Sequence, residues 1–233
     1  MDYPLIESLE DLKILIVDDD SFMQRLLETV LLDLGFKQIV KVEDGQQALN
    51  ILNNNHIDLL LTDIQMPNTN GLELVKQVRC GNTGVSNNLR SIVITSFSNL
   101  DTLGTAIALD VNGFLDKPFK PVTVIKKILL ALSEDEKSQR LGGEYQDILT
   151  DLEGLRESSL AEAGTASTEK VSSGRSVSAQ TLQPGMKLVD DVRTNQGTLL
   201  LSEGFLLTRQ SIHRIREVSS VLEKQEFSVD PVW

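Results

Sequence analysis

One cysteine among 233 residues excludes an intrachain disulfide and any paired-cysteine zinc site. Two histidines, His56 and His213, are too few for a histidine-rich metal cluster. Aromatics make up 4% of the chain, which argues against a stacking platform for single-stranded nucleic acid. Positive charge is scarce: 22 Lys/Arg stand against 34 Asp/Glu, for a net charge of −12. That balance opposes phosphate-backbone binding, so no nucleic-acid partner is expected. No apolar run approaches the roughly 18 residues that span a bilayer, so no membrane partner is expected either. The opening MDYPLIESLE is acidic and lacks a basic segment followed by an apolar one, unlike a signal peptide. These absences point to a soluble, cytoplasmic chain. Its 40% hydrophobic content can bury a core, in one large domain or two modest ones.

What is present divides unevenly. Residues 1–132 hold 11 Lys/Arg and 17 Asp/Glu, net −6; residues 133–179 hold 5 and 10, net −5; residues 180–233 hold 6 and 7, net −1. The first segment alternates short Ile/Leu/Val-rich runs with amphipathic stretches. The runs Leu12–Val17, Gln38–Val42, Ile57–Thr62, Ser91–Thr95 and Gly113–Leu115 are too short for helices and suit buried parallel strands. The stretches Ser21–Leu34, Gln46–Leu52, Gly71–Arg79, Asn99–Leu109 and Pro121–Leu132 predict helices between and after them. Five strands alternating with five helices predict an α/β fold, a five-stranded doubly wound parallel sheet over residues 1–132.

Beyond it, residues 133–160 predict an amphipathic helix. Leu141, Tyr145, Ile148, Leu152 and Leu155 carry an a/d spacing for about two heptads, compatible with a coiled coil or with a helix lying on its own domain. Residues 161–179 hold mostly Ala, Ser, Thr, Gly and charge, and predict a flexible linker. Residues 180–233 predict a small β-rich unit, with strands over Met186–Val192, Thr198–Leu201 and Val221–Phe227 and a helix over Arg209–Val218 capped by Thr208. On that helix Arg209, His213, Arg214 and Arg216 read as a solvated polar face. A unit this small lies near the lower limit for independent folding, which invites a partner surface.

The chemistry gathers at strand ends. Asp18, Asp19 and Asp20 follow the first strand, Asp63 ends the third, Thr95 ends the fourth, and Lys117-Pro118 follows the fifth. The carboxyl ends of such strands converge on one crevice. Clustered carboxylates repel without a cation, and a hard divalent ion such as Mg²⁺ relieves this while retaining waters for a phosphoryl group. A carboxylate beside that ion can attack phosphorus, and Lys117 and the Thr95 hydroxyl can stabilise phosphoryl oxygens. Asp20 alone reads as a helix N-cap.

The segments LKILIVDDD, LLLTDIQMPNTNGLEL, SIVITS and GFLDKPF, within residues 12–132, resemble the receiver domain of two-component response regulators. The resemblance implies a flavodoxin-like fold and a cytoplasmic signalling phosphoacceptor rather than an enzyme, with only self-phosphotransfer and self-dephosphorylation. It implies that Asp63 takes a phosphoryl group from a histidine kinase or phosphotransfer protein. It further implies Mg²⁺ held by Asp18, Asp19, Asp63 and the backbone carbonyl of Gln65. Thr95 and Lys117 then contact the phosphoryl group, Thr95 and Phe114 form the switch, and the Lys117–Pro118 peptide is cis. Pro67 and Gly71 match the loop that shapes the site. Output is implied through the surface of helix 4, strand 5 and helix 5, by dimerisation or by an output protein.

Residues 181–207 resemble a short module associated with HD-type phosphohydrolase signalling proteins, although no His-Asp dyad is present because Arg214 follows His213. That suggests an interaction module. Residues 140–145 resemble the GGDEF-type cyclase signature only superficially, with one acidic position missing and no cyclase body around them. Two alternatives stand beside the switch: a phosphorelay intermediate or phosphate sink, and a DNA-binding regulator, which the acidic charge disfavours.

Overall fold

The computed structural model describes residues 9–95, 101–134, 142–153 and 174–230. They divide into two compact packing units that are not consecutive in sequence. The first holds the described residues up to 95, 111–134 and 142–147; the second holds 101–110, 148–153 and 174–230. Among the described residues no helix is long and apolar enough to cross a membrane.

The first unit is built on five parallel strands: β1 (Lys13–Val17), β2 (Gln38–Val42), β3 (Leu59–Asp63), β4 (Arg90–Thr95) and β5 (Gly113–Asp116). Their order is β2-β1-β3-β4-β5, and register runs from Ile14 opposite both Ile39 and Leu59 to Ile94 opposite Asp63 and Leu115. Central strands covered on both faces read as unbroken apolar runs, and β3 is buried at every position. On one face Ile14, Ile16, Leu59, Leu61, Ile92, Ile94 and Leu115 form a cluster with Leu27 and Leu31 of α1 (Ser21–Asp33) and Val124 and Ile128 of α5 (Pro121–Ser133). The other face carries α2 (Gly45–Asn54) and α3 (Gly71–Arg79), which touch β1, β2 and β4. Side-chain caps start three of these helices: Asp20 accepts from the Phe22 amide, Asp44 from Gln47 and Asn70 from Glu73. The chain therefore follows the doubly wound order, and strand direction from β1 diverges to β2 on one side and β3 on the other.

The second unit holds α4 (Asp101–Ala108), an antiparallel sheet ordered β6-β10-β7, a β8-β9 pair and a last helix, α6. Here β6 is Arg175–Ser178, β7 Lys187–Leu188, β8 Val192–Arg193, β9 Leu199–Leu201 and β10 Glu226–Asp230, and α6 is Arg209–Glu217. Thr208 and Ser211 close a capping box on α6: the Thr208 hydroxyl accepts from the Ser211 amide at 3.0 Å, and the Ser211 hydroxyl accepts from the Thr208 amide at 2.8 Å. Gly197 turns β8 into β9 at φ 86°, a conformation glycine adopts without steric penalty.

Several expectations are corrected here. The helix expected over 133–160 does not run continuously through its described part: Gly142–Tyr145 is a 3-10 turn, residues 148–151 have no regular structure, and beyond Ser133 helix appears only at Leu152 and Glu153. Tyr145 is buried, at 1% exposure, and its turn packs on α3, so this position serves the receiver-side core, whereas Ile148 and Leu152 fall in the second unit. Leu141 and Leu155 of that spacing lie outside the described residues, as do residues 154–173. The linker expected to reach 179 ends sooner, because Arg175–Ser178 pairs with β10, placing Val177 opposite Phe227. The strand expected over Met186–Val192 is two strands. The break falls at Asp191, whose carboxylate accepts from the Glu203 amide at 2.9 Å and from Arg193 at 2.8 Å, drawing the backbone into a turn. The last strand starts at Glu226, not Val221, which closes a 3-10 turn over Ser219–Val221.

The polar face of α6 is not solvated throughout. Arg214 is fully buried and pairs with Glu217 at 3.1 Å, while Arg216 donates to the carbonyls of Ala179, Gln180 and Leu182. Neither guanidinium is free to meet nucleic-acid phosphates. Replacing Tyr145 with Ala is expected to destabilise the receiver unit by about 3 kcal/mol, the typical scale for truncating a buried aromatic. Urea unfolding of the full chain, followed at the first transition, measures it; a loss under 1 kcal/mol on that scale would contradict the packing described.

Candidate functional site

The crevice opens where β1 and β3 end. Asp18 directly follows β1, Asp63 is the last residue of β3, Thr95 the last of β4, and Lys117 follows β5. The Lys117 ammonium reaches both buried carboxylates, at 2.7 Å from Oδ1 of Asp63 and 3.2 Å from Oδ2 of Asp18. The Lys117 backbone amide donates to the Thr95 carbonyl at 2.8 Å, fixing where the lysine leaves the sheet. The Lys117–Pro118 peptide is cis.

Each carboxylate is also held by backbone. The Asp20 amide donates to Oδ1 of Asp18 at 2.9 Å, and the Gln65 amide to Oδ2 of Asp63 at 2.8 Å. Asp18 is fully buried and Asp63 is 6% exposed, whereas Asp19, Asp20 and Gln65 are exposed. Thr95 and Phe114 are both buried, and Phe114 pairs with Val93 across β4 and β5. Burial pushes the Asp63 carboxyl above its usual range; Lys117 opposes this, the Asp18 charge adds to it, and the Gln65 amide opposes it. For Lys117, burial favours the neutral amine, but the hydrogen bond and charge of Asp63, reinforced by Asp18, hold its pKa above the ordinary lysine value.

Gly71 shapes the floor. A Cβ there would lie 2.9 Å from both the Asp63 carbonyl carbon and the Thr62 hydroxyl, so only glycine lets α3 start this close to the acceptor strand. One contributor was not anticipated. Gln24, buried in α1, donates from its amide nitrogen to the carbonyls of Asp18, at 2.7 Å, and Val42, at 2.9 Å. It fastens the ends of β1 and β2 where the crevice begins. Its sequence signal is a lone amide four residues past the Asp20 cap, on a helix whose other buried residues are aliphatic.

Residues 14–129 match the family model described as the response regulator receiver domain. The chemotaxis protein CheY of Pseudomonas aeruginosa is 36% identical over 117 residues, which make up 50% of this chain and 93% of that protein. The chain belongs to the response regulator receiver family. CheY-3 of Vibrio cholerae is 34% identical to this receiver over 119 residues, covering 51% of the chain and 90% of that protein. Among solved structures, a CheY-like response regulator receiver domain protein from Methanospirillum hungatei aligns at 26% identity, covering 55% of this chain and 98% of that one, with a TM-score of 0.49. The protein is thus a two-component response regulator, and residues 130–233 lie outside the matched receiver.

Receiver domains generally bind Mg²⁺ at the phosphorylation site, and the donor chemistry here fits it. Asp18 and Asp63 are buried oxygen donors with Asp19 adjacent, and one ammonium leaves the set negative. Among the described residues no three side chains of metal-ligating type gather into a ready cluster. Asp19 is turned to solvent, and Lys117 bridges the other two.

The bridge sets a pH dependence. Replacing Lys117 with Met leaves two buried carboxylates without their cation, which is expected to cost about 3 kcal/mol at neutral pH. The Asp63 carboxyl is then raised further above its unfolded value of 3.8. A raised carboxyl contributes stability below its unfolded pKa and loses it as pH rises through the folded one. The deficit of Lys117→Met relative to wild type is therefore expected to shrink on going from pH 7 to pH 4. Thermal unfolding across that range tests it, and a deficit that grows toward pH 4 would refute the arrangement.

Proposed function

We propose that Asp63 is the phosphoacceptor of this response regulator and that the donor is a histidine kinase or a phosphotransfer protein. The observation carrying this reading is the Lys117 ammonium at 2.7 Å from the Asp63 carboxylate, where the ends of β1, β3, β4 and β5 converge. In the step, an Asp63 carboxylate oxygen forms a bond to phosphorus as the phosphorus–nitrogen bond of the donor phosphohistidine breaks. The released imidazole nitrogen keeps the bonding electrons and takes up a proton. Asp18, Asp19, Asp63 and the Gln65 carbonyl would hold Mg²⁺, which when bound would neutralise charge on the phosphoryl oxygens. Lys117 then exchanges carboxylate for phosphoryl oxygen. The Thr95 hydroxyl donates to another phosphoryl oxygen, and Phe114 follows the threonine.

The burial of Asp63 supports this assignment, since a buried carboxylate gains more than an exposed one from a fixed cation. Phosphorylation adds charge to a site already short of cations, so the added charge must be answered by local movement. The chain itself performs only acceptance and loss of the group.

With acetyl phosphate and Mg²⁺, the wild-type chain is expected to gain the mass of one phosphoryl group, and Asp63→Ala none. Chelation of Mg²⁺ is expected to slow the gain by at least about 100-fold, in line with the loss of a main electrostatic contribution. Intact-protein mass spectrometry reads both. Phosphorylation of Asp63→Ala at the wild-type rate would remove Asp63 from this role.

A further inference from the structure

Asp18 and Asp19 are joined by a peptide that one neutral side chain holds in place. Gln24 lies in the first turn of α1 and is 8% exposed. Its side-chain nitrogen carries two hydrogens, and each finds a carbonyl, that of Asp18 at 2.7 Å and that of Val42 at 2.9 Å. Both partners are acceptors only, so the amide stands one way round, with its nitrogen toward the strands. The same Val42 carbonyl accepts from the Asp18 backbone amide at 3.2 Å, and the Gln24 backbone amide donates to the Asp20 carbonyl at 3.1 Å. Gln24 therefore grips the segment from Asp18 to Asp20 at two carbonyls and ties its first residue to β2.

That grip acts on the neighbouring residue. The Asp18 carbonyl belongs to the rigid peptide plane that also carries the Asp19 nitrogen and Cα. Fixing the direction of the carbonyl fixes where the Asp19 backbone begins. The Asp18 carboxylate has holders of its own, the Asp20 amide at 2.9 Å and the Lys117 ammonium at 3.2 Å. Asp19 is exposed, so the aim of its carboxylate depends on the backbone that carries it. A glutamine supplies this hold without adding charge. Lysine or arginine could donate to the same carbonyls, but would set a second cation against a site that has to attract one.

We propose that Gln24 is a positioning residue for the divalent cation, setting the spacing of the Asp18 and Asp19 carboxylates so that the site favours Mg²⁺ over Ca²⁺. The proposal rests on the metal site of the phosphoacceptor reading given above. Mg²⁺ demands near-ideal octahedral geometry at short distances, whereas Ca²⁺ accepts longer bonds and varied geometry. With the Asp18 carbonyl released, the segment still offers its oxygens to Ca²⁺ but loses the fixed spacing that Mg²⁺ needs. Groups outside the ligand set that orient the ligands typically govern metal affinity by roughly 10- to 100-fold. A strap that only tied β1 to β2 would change stability and leave the ratio of the two affinities as it was.

The test uses the full chain without a phosphoryl donor. Isothermal titration calorimetry measures Mg²⁺ and Ca²⁺ binding to wild type, Gln24→Met and Tyr145→Ala, at a temperature where circular dichroism shows each to be folded. Gln24→Met keeps the length of the side chain and removes its donors; Tyr145→Ala weakens the receiver unit through its packing on α3. Gln24→Met is expected to bind Mg²⁺ at least about tenfold more weakly, and Ca²⁺ with a clearly smaller loss. Tyr145→Ala is expected to bind both cations as wild type does. Equal losses for the two cations in Gln24→Met, no loss for Mg²⁺, or the same loss in Tyr145→Ala would each overturn the proposal. Nitrogen-15 NMR of wild type decides the matter should Gln24→Met not fold. The side-chain amide protons of Gln24 are expected to exchange with water at least about tenfold more slowly than those of exposed Gln46, both without and with Mg²⁺. Exchange as fast as at Gln46, or protection lost when Mg²⁺ binds, would remove the hold on which the proposal stands. Wild type that binds no Mg²⁺ would strike the metal site of the phosphoacceptor reading, and this assignment with it. Wild type that binds Mg²⁺ while Gln24→Met binds it equally well strikes the assignment alone.

Discussion

Two carboxylates, Asp18 and Asp63, lie buried at the edge of a parallel sheet, and a single ammonium stands between them. Removing a charge from water is costly, and the cost is tolerable only where an opposite charge and hydrogen-bond donors are already in place. The strand order supplies those conditions. Because β1 and β3 are neighbours, their last residues are brought together, and because β5 closes the same edge, Lys117 can reach both. The supporting hydrogen bonds serve the same end: backbone amides two residues on hold each carboxylate, and Gln24 anchors the chain just behind Asp18. The site is stable in the absence of phosphate but short of positive charge. That shortage makes it responsive to a metal ion and to a phosphoryl group.

The receiver was legible in sequence because its determinants are local. A strand buried on both faces reads as a largely aliphatic run; β1 is such a run followed by Asp18, and β3 is one that ends in Asp63. Helix starts announced themselves through Asp20 and Pro121, each beside its first turn. The strand-end residues followed from topology once five strands had been counted. Gln24 escaped because nothing about one glutamine in an amphipathic helix says that its amide turns inward to two carbonyls.

The C-terminal half was legible only in part, because its determinants are distant in sequence. Arg175–Ser178 has the composition of a linker and becomes a strand only through β10, some fifty residues later. The apolar spacing around Tyr145 suggested a helix, but the glycine pair before it and the packing on α3 make Gly142–Tyr145 a tight turn. Arg214 shows the same limit: its charge suggested solvent, yet a partner three residues on, Glu217, allows it to be buried. In each case a tertiary contact outweighed a weak local preference.

Gly104 bears on how this protein could change over time. Receivers and outputs are often pictured as beads that recombine at the linker between them. Here the border in the sequence, near residue 132, does not coincide with the border in space, since α4 belongs to the packing unit that holds the C-terminal strands. A gene fusion cut at that linker would strip β9 and α6 from α4 and uncover its buried Leu103, Ala106 and Ile107. It would also leave Gly104, where a Cβ would lie 2.7 Å from the Leu200 Cα, with no backbone to accommodate. The two halves must therefore diverge together, each change at Leu200 constrained by what α4 can accept.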